Sequence, residues 1–307
     1  MIRLSYSEKF PIPLPAGHRF PIQKYQLVRE QLLYEGVIAA KQLFSPTFIE
    51  DQIIHLTHCP HWWSKAKSGN LSAKEYRQIG FPNSEELVLR SISSASATLQ
   101  CALNALEDGA GMNLAGGTHH AFFDRGEGFC LLNDIAIAAN YLLDRGHVKR
   151  VLVVDLDVHQ GNGTASLFQG EPNVFTFSMH CVDNYPFHKA VSDLDVGLAA
   201  QCDDQTYLGA LHKHIPELME SFAPDIVFYQ AGVDVLATDR LGKLNLSRKA
   251  CRDRDYWVIS QAQKRNLPLV LVMGGGYSDR LSTLVNAHCE AYKLVLELYE
   301  KPKQHFF

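Results

Sequence analysis

Val151-Leu-Val-Val-Asp-Leu-Asp-Val-His-Gln-Gly-Asn-Gly-Thr164 opens with a β-branched apolar run and turns abruptly polar at Asp155, Asp157 and His159. An apolar run of this kind is the mark of a strand buried on both faces, as in a parallel sheet. Residues two apart on extended chain project to the same side, so Asp155, Asp157 and His159 leave the strand end in one direction. Solvated charges at a strand end would give the same letters. Three metal-binding or proton-carrying groups side by side are nevertheless costly to hold together without a cation. Gly161 and Gly163 follow, and they predict a tight turn with close approach of the backbone to a ligand.

Outward from this stretch the chain alternates. Short apolar runs at 112–115, 151–154, 174–179, 226–229 and 269–273 read as strands. Helical patterns occupy 131–144, 205–222, 247–264 and 281–299, and a long helix runs from Ser84 to Gly109. This is the pattern of an α/β fold with a mainly parallel sheet and helices on both faces. Upstream, residues 2–6 predict an edge strand, and Pro11, Pro13 and Pro15 an extended loop. A helix is expected from Pro21 to Gly36, and Ser45-Pro46 marks a second helix start. Trp62 and Trp63 cannot share one helix face, so they read either as one core ring and one pocket wall or as two core rings. With no repeat, linker or low-complexity stretch, residues 1–307 are expected to form one catalytic domain.

The composition excludes several classes. The 307 residues carry a net charge of −4, are 46% hydrophobic and 20% charged, and hold no dense Lys/Arg run, which argues against direct nucleic-acid binding. No segment reaches the apolar length of a membrane span, and the N-terminus lacks the apolar core of a signal peptide. Seven cysteines without a C-x-x-C pair predict reduced thiols and a cytoplasmic protein.

In open parallel sheets, ligands bind outside the carboxyl ends of the strands. The five strands are followed in turn by Gly116-Gly-Thr-His-His120, by Asp155, Asp157 and His159, by His180 with Tyr185 further on, by Ala231-Gly-Val-Asp234, and by Gly274-Gly-Gly-Tyr277. Each alone is a weak signal; their joint placement is a strong one. Asp157, His159 and Asp234 form a natural metal set. Three protein ligands leave one position open, the arrangement of catalytic zinc, and this donor set also suits Fe2+ or Mn2+. His119 and His120 fit better as proton-transfer groups, with Asp155 and Asn162 near enough in sequence to orient them. Tyr277, on a glycine loop, is placed to donate to a developing oxyanion. Phe129 and Tyr185 suit the walls of a narrow channel. Cys130 is a poor nucleophile candidate beside a metal site.

Gly117-Thr-His-His-Ala121, Gly128-Phe-Cys130, Asn133-Asp134, Asp155-Leu-Asp-Val-His-Gln-Gly-Asn162, Ala231-Gly-Val-Asp234 and Gly275-Gly-Tyr277 together resemble the zinc-dependent histone deacetylase family. The likeness runs from about Ser84 to the C-terminus, with an echo in Gly17-His-Arg-Phe-Pro21, and Gln160-Gly-Asn162 and Thr238-Asp-Arg-Leu-Gly242 look nearest the class IV and bacterial branches. The resemblance implies a three-layer α/β/α, arginase-like fold. It implies zinc on Asp157, His159 and Asp234, with His120 as general base and acid, His119 as its electrostatic partner and Tyr277 polarising the carbonyl. Gly128, Phe129, Tyr185 and Gly275 correspond to the acyl-lysine channel. A structural K+ is implied at Asp155, Asp157, His159, Ser178 and Met179. The implied substrate is an acyl-lysine protein or peptide, with a small acylated amine such as an acetylpolyamine as the alternative. Asn162 departs from the aspartate of the best-studied class, and the proline-rich and Trp-Trp segments match no acidic substrate-gripping loop.

Two rivals stand against this. A two-manganese ureohydrolase, on the same fold, needs acidic residues two past His159 and two past Asp234, where this chain has Gly161 and Leu236. A non-catalytic acyl-lysine binding module would be signalled by loss of Tyr277, His120 or a metal ligand, and all are present.

Overall fold

The apolar runs assemble side by side. In the computed structural model, which describes residues 1–6 and 9–300, the chain runs β1 (Arg3–Ser5), α1 (Lys24–Tyr34), β2 (Leu43–Phe44), α2 (Asp51–Ile54), α3 (Pro60–Lys67), α4 (Ala73–Ile79) and α5 (Glu85–Asp108). It continues through β3 (Ala110–Asn113), α6 (Asp134–Asp144), β4 (Val151–Asp155), α7 (Asn162–Leu167), β5 (Val174–Cys181) and β6 (Leu194–Leu198). The last elements are α8 (Asp204–Ser221), β7 (Ile226–Gln230), α9 (Arg248–Lys264), β8 (Leu269–Val272) and α10 (Leu281–Tyr299). Residues 301–307 of the expected domain lie outside the described residues.

The eight strands form one sheet in the order β2-β1-β3-β8-β7-β4-β5-β6, and every pairing is parallel. Strand periodicity divides the core in two. On β4, Leu152 and Val154 pack with α1, α8, α9 and α10, while Val151 and Val153 pack with α5 and α6. Alternate residues thus meet opposite helix layers, which is why the run is apolar throughout. Side-chain caps start the helices that matter most: Ser84 accepts from Leu87 N, Asn133 from Ala136 N and Ser247 from Ala250 N.

Several expectations are corrected. The strand read at 112–115 lies at Ala110–Asn113, because the left-handed cap at Gly109 ends α5 and passes straight into it. β1 is not an edge strand, since β2 pairs outside it. The helix expected from Pro21 begins at Lys24, after a turn in which Lys24 N bonds to Pro21 O. Ser45-Pro46 starts no helix. The Ile49 N–H in that segment bonds to Ser96 Oγ of α5 instead, and α2 begins at Asp51. β6, with its interior Gly197, and the short α7 were not read from the sequence. Both tryptophans are core rings: Trp62 Nε1 donates to Leu131 O, and Trp63 Nε1 to Asp51 Oδ1.

Candidate active site

The carboxyl ends of β3, β8, β7 and β4 are neighbours in the sheet, so the polar motifs that follow them meet. After β3, Asp134 at the start of α6 accepts from Gly117 N (3.1 Å), Thr118 N (2.7 Å) and Thr118 Oγ1 (2.6 Å). That clamp sets the course of the backbone into His119 and His120, whose rings lie 4.0 Å apart.

His119 Nδ1 lies 2.7 Å from Asp155 Oδ2, and His120 Nδ1 lies 2.7 Å from Asn162 Oδ1. Asn162 Oδ1 also accepts from Gly163 N, so the amide oxygen faces His120 and the ring donates from Nδ1. A neutral His120 therefore carries its free lone pair on Nε2. Burial and the neighbouring charges of His119 and His159 hold His120 well below the usual imidazole range. For His119, burial opposes the charged form, but Asp155 and Asp157 outweigh it and hold the pKa above its ordinary value. Two adjacent histidines are thus driven apart in charge by what each one faces.

His159 Nδ1 lies 3.0 Å from Asp157 Oδ1 and 3.2 Å from Asp234 Oδ2. All three residues are buried, and their ligand atoms lie within 4.8 Å of one another. Each carboxylate is aimed by backbone donors: Asp157 Oδ1 accepts from His159 N, Asp157 Oδ2 from Gly275 N and Asp234 Oδ1 from Val158 N. Burial and the charge of Asp157 push Asp234 up to about 7. Burial works against a charged His159, but its bonds to Asp157 and Asp234 raise it to about 10. Two buried carboxylates converging on one imidazole demand positive charge, and the donor set fits a divalent metal.

Gly275, expected in the channel, belongs to this cradle: a Cβ there would lie 2.0 Å from Asp234 Oδ2 and 2.7 Å from Asp157 Oδ2. Gly161 and Gly163 likewise admit protein rather than ligand. A Cβ at Gly161 would lie 2.3 Å from Asp155 Oδ2, and one at Gly163 would lie 2.4 Å from Ala121 O.

Tyr277 is half-buried, its ring 6.4 Å from that of His159 and 5.9 Å from that of Phe129. Burial and the charges of Asp157 and Asp234 raise its phenol well above the ordinary range, so it stays a proton donor. His120, His159, Gly128, Phe129, Tyr185 and Tyr277 all line one cavity of about 450 Å³. Tyr185 donates to Glu127 Oε2 (2.6 Å), and its ring meets that of His120 edge-on at 5.0 Å. Phe129 has φ of +68°, held by Phe129 N donating to Ile79 O. Cys130 is buried, and burial pushes its thiol up, away from nucleophilic use. Asp155 and Ser178, two of the residues of the implied K+ site, are register partners across β4 and β5.

Three supports were not read from the sequence. Asp239 Oδ2 accepts from Tyr277 N (2.6 Å) while its Oδ1 takes Leu241 N and Gly242 N. The buried Lys24 Nζ donates to Gly274 O (3.0 Å), in the turn that leads to Tyr277. Arg254, paired with Asp255, donates to Leu156 O (3.2 Å) and Gly232 O (2.6 Å), joining the loops that carry Asp157 and Asp234. A lone Lys or Arg carries no local pattern that would mark it, and nothing in the stretch Thr238-Asp-Arg-Leu-Gly242 signals that Asp239 reaches Tyr277 N.

The model of the histone deacetylase domain matches residues 18–292. An uncharacterized protein of Picosynechococcus is 42% identical over 294 residues, covering 96% of this chain and 98% of its own. Histone deacetylase 2 of Arabidopsis thaliana is 29% identical over 288 residues, covering 90% of this chain and 74% of its own. The crystal structure of the HDA15 HD domain superposes with a TM-score of 0.80 at 19% identity, over 98% of this chain and 91% of that one. The fold is thus that of the arginase/deacetylase α/β/α class. The chain belongs to the histone deacetylase family, which supports a deacetylase, hence hydrolase, activity.

Proposed function

We propose that residues 1–307 act as one catalytic domain, a metal-dependent amidohydrolase that removes an acetyl or longer acyl group from the ε-amine of lysine or a related amine. The observation that carries this reading is the shared cavity, in which His120, Tyr277 and the metal-binding His159 line one channel walled by Phe129 and Tyr185. Zn2+, Fe2+ or Mn2+ held by Asp157, His159 and Asp234 would supply a Lewis acid that activates water and polarises the acyl carbonyl. His120 Nε2 takes a proton from the attacking water and returns one to the leaving amine. His119, whose charged form is favoured by Asp155 and Asp157, disfavours charge on its neighbour and is placed to offset developing negative charge. Tyr277 donates a hydrogen bond from its hydroxyl to the oxyanion. K+ at Asp155, Asp157, His159, Ser178 and Met179 would brace the ends of β4 and β5. Among the described residues no helix is long and apolar enough to cross a membrane. The seven free cysteines support a reducing, cytoplasmic setting.

The test is purified enzyme on a panel of acyl-lysine peptides and acylated polyamines, reading free amine and released acid. Comparable kcat/KM for octanoyl-lysine and acetyl-lysine is expected. Activity confined to acetyl removes the longer-acyl reading, and no amine release from any substrate removes the hydrolase.

A second expectation concerns Asn162. A carboxylate in its place favours the charged form of His120, so Asn162→Asp raises that pKa. The base must be neutral to act, and the acid limb of kcat/KM reports it. The limb therefore moves to higher pH in Asn162→Asp, with metal content unchanged. A limb that follows a zinc-to-cobalt exchange and ignores this substitution would assign it to another group.

A further inference from the structure

The mouth of the channel is basic although the molecule as a whole is acidic, with a net charge of −4. Arg19, Arg77 and Lys243 line the same cavity as His120 and Tyr277, and Asp183 is the acidic residue among the exposed side chains there. The cations come from three separate parts of the chain: the loop before α1, the last turn of α4 and the loop that follows Gly242.

Each is held near the channel. The Arg19 guanidinium lies 5.2 Å over the Phe129 ring. Arg77 precedes Gln78 and Ile79, whose carbonyls accept from Gly128 N (3.1 Å) and Phe129 N (2.6 Å). Lys243 Nζ donates to the backbone carbonyl of Asp183 (2.7 Å), leaving its charge uncompensated by that contact. Among the described residues neither Arg19 nor Arg77 pairs with a carboxylate. Nearby acids are engaged elsewhere: Glu127 with Arg125 and Tyr185, Glu75 with Lys65, and Asp279 with Arg240. Phe187, 88% exposed, adds an apolar surface to the same mouth.

A cleft lined by one sign of charge, with low-dielectric walls, concentrates ligands of the opposite sign. We infer that the mouth selects acyl-lysines in an acidic peptide setting, with Asp or Glu side chains flanking the acylated residue. This rests on the deacylase reading above. Cations on three elements around the opening suit several carboxylates along a peptide better than one on a small molecule. They also repel a polycationic acetylpolyamine, which counts against that carrier.

The test uses the intact protein and three acetyl-lysine peptides of equal length, flanked by Glu, by Ser or by Lys. An α-amine-blocked Nε-acetyl-lysine carrying one free carboxylate represents the small-molecule source, and N-acetylspermidine the cationic one. The Glu-flanked peptide is expected to exceed the Lys-flanked one by about tenfold in kcat/KM at low salt, with the Ser-flanked peptide between them. The difference should lie in KM rather than kcat, because these charges face the carrier and not the reacting atoms. It should shrink as ionic strength rises towards 1 M. The triple variant Arg19→Glu, Arg77→Glu, Lys243→Glu should reverse the ranking. Anisotropy of fluorescently labelled peptides gives the same comparison without turnover. Equal affinities and equal kcat/KM across the peptides would overturn the inference, as would a single-carboxylate compound or N-acetylspermidine matching the Glu-flanked peptide. Preferential binding of the Glu-flanked peptide with no hydrolysis of any peptide would uphold the mouth and overturn the deacylase reading.

Discussion

Asp234→Ala is expected to lose bound metal and activity together. The substitution deletes one of the three side chains proposed to hold the metal, in a set whose ligand atoms lie within 4.8 Å of one another. It also removes the acceptor of Val158 N and one of the two carboxylates that hold His159. Loss of an outer-sphere partner of a metal ligand typically costs about 10–100-fold in affinity, and loss of a ligand itself should exceed that. Metal content by elemental analysis and kcat/KM on one acyl-lysine peptide provide the readings. Asp234→Asn separates the two effects of the change. Its amide oxygen can still accept from Val158 N, so a fold-preserving loss of metal in this variant isolates the charge. An apo preparation as active as the metal-loaded enzyme would rule the mechanism out.

Tyr277→Phe is expected to lower kcat and kcat/KM alike by about 10²–10³-fold, with metal content unchanged. The ring stays packed at 5.9 Å from Phe129 and 6.4 Å from Phe20, and the backbone stays tied through Tyr277 N to Asp239. Only the hydroxyl is lost. Burial beside Asp157 and Asp234 keeps that hydroxyl protonated across the working pH range, so its removal deletes a donor and changes no charge. A raised KM at normal kcat would make Tyr277 a binding group, and a near-normal kcat/KM would place it outside the chemistry.

The sequence by itself determined the parts of this protein that are local. The run at Val151–Val154 is apolar at every step because the strand lies between two helix layers, and that continuity is readable without coordinates. The spacing of Asp155, Asp157 and His159 is a property of extended chain, and their common direction follows from it. Glycines at 161, 163 and 275 were legible as special positions, but not for the right reason. What they admit is the protein's own Asp155, Ala121 and Asp234, the last two from distant parts of the chain. The strand ends could be listed in order, yet the order β3-β8-β7-β4 that makes them neighbours lies in the pairing of the sheet.

Only the tertiary structure decided what depends on residues far apart in sequence. Arg254 reaches Leu156 O across 98 positions, and Lys24 reaches Gly274 O across 250. Asp239 is tied to Tyr277 across 38, and Arg19, Arg77 and Lys243 share one opening. Such residues leave no periodic trace, since a polar side chain bonded to a distant backbone has no reason to repeat every two or 3.6 residues. Their positions follow from the packing of whole strands and helices. That packing set the pairing of His119 with Asp155 and of His120 with Asn162, and with it the contrast in charge between two adjacent imidazoles.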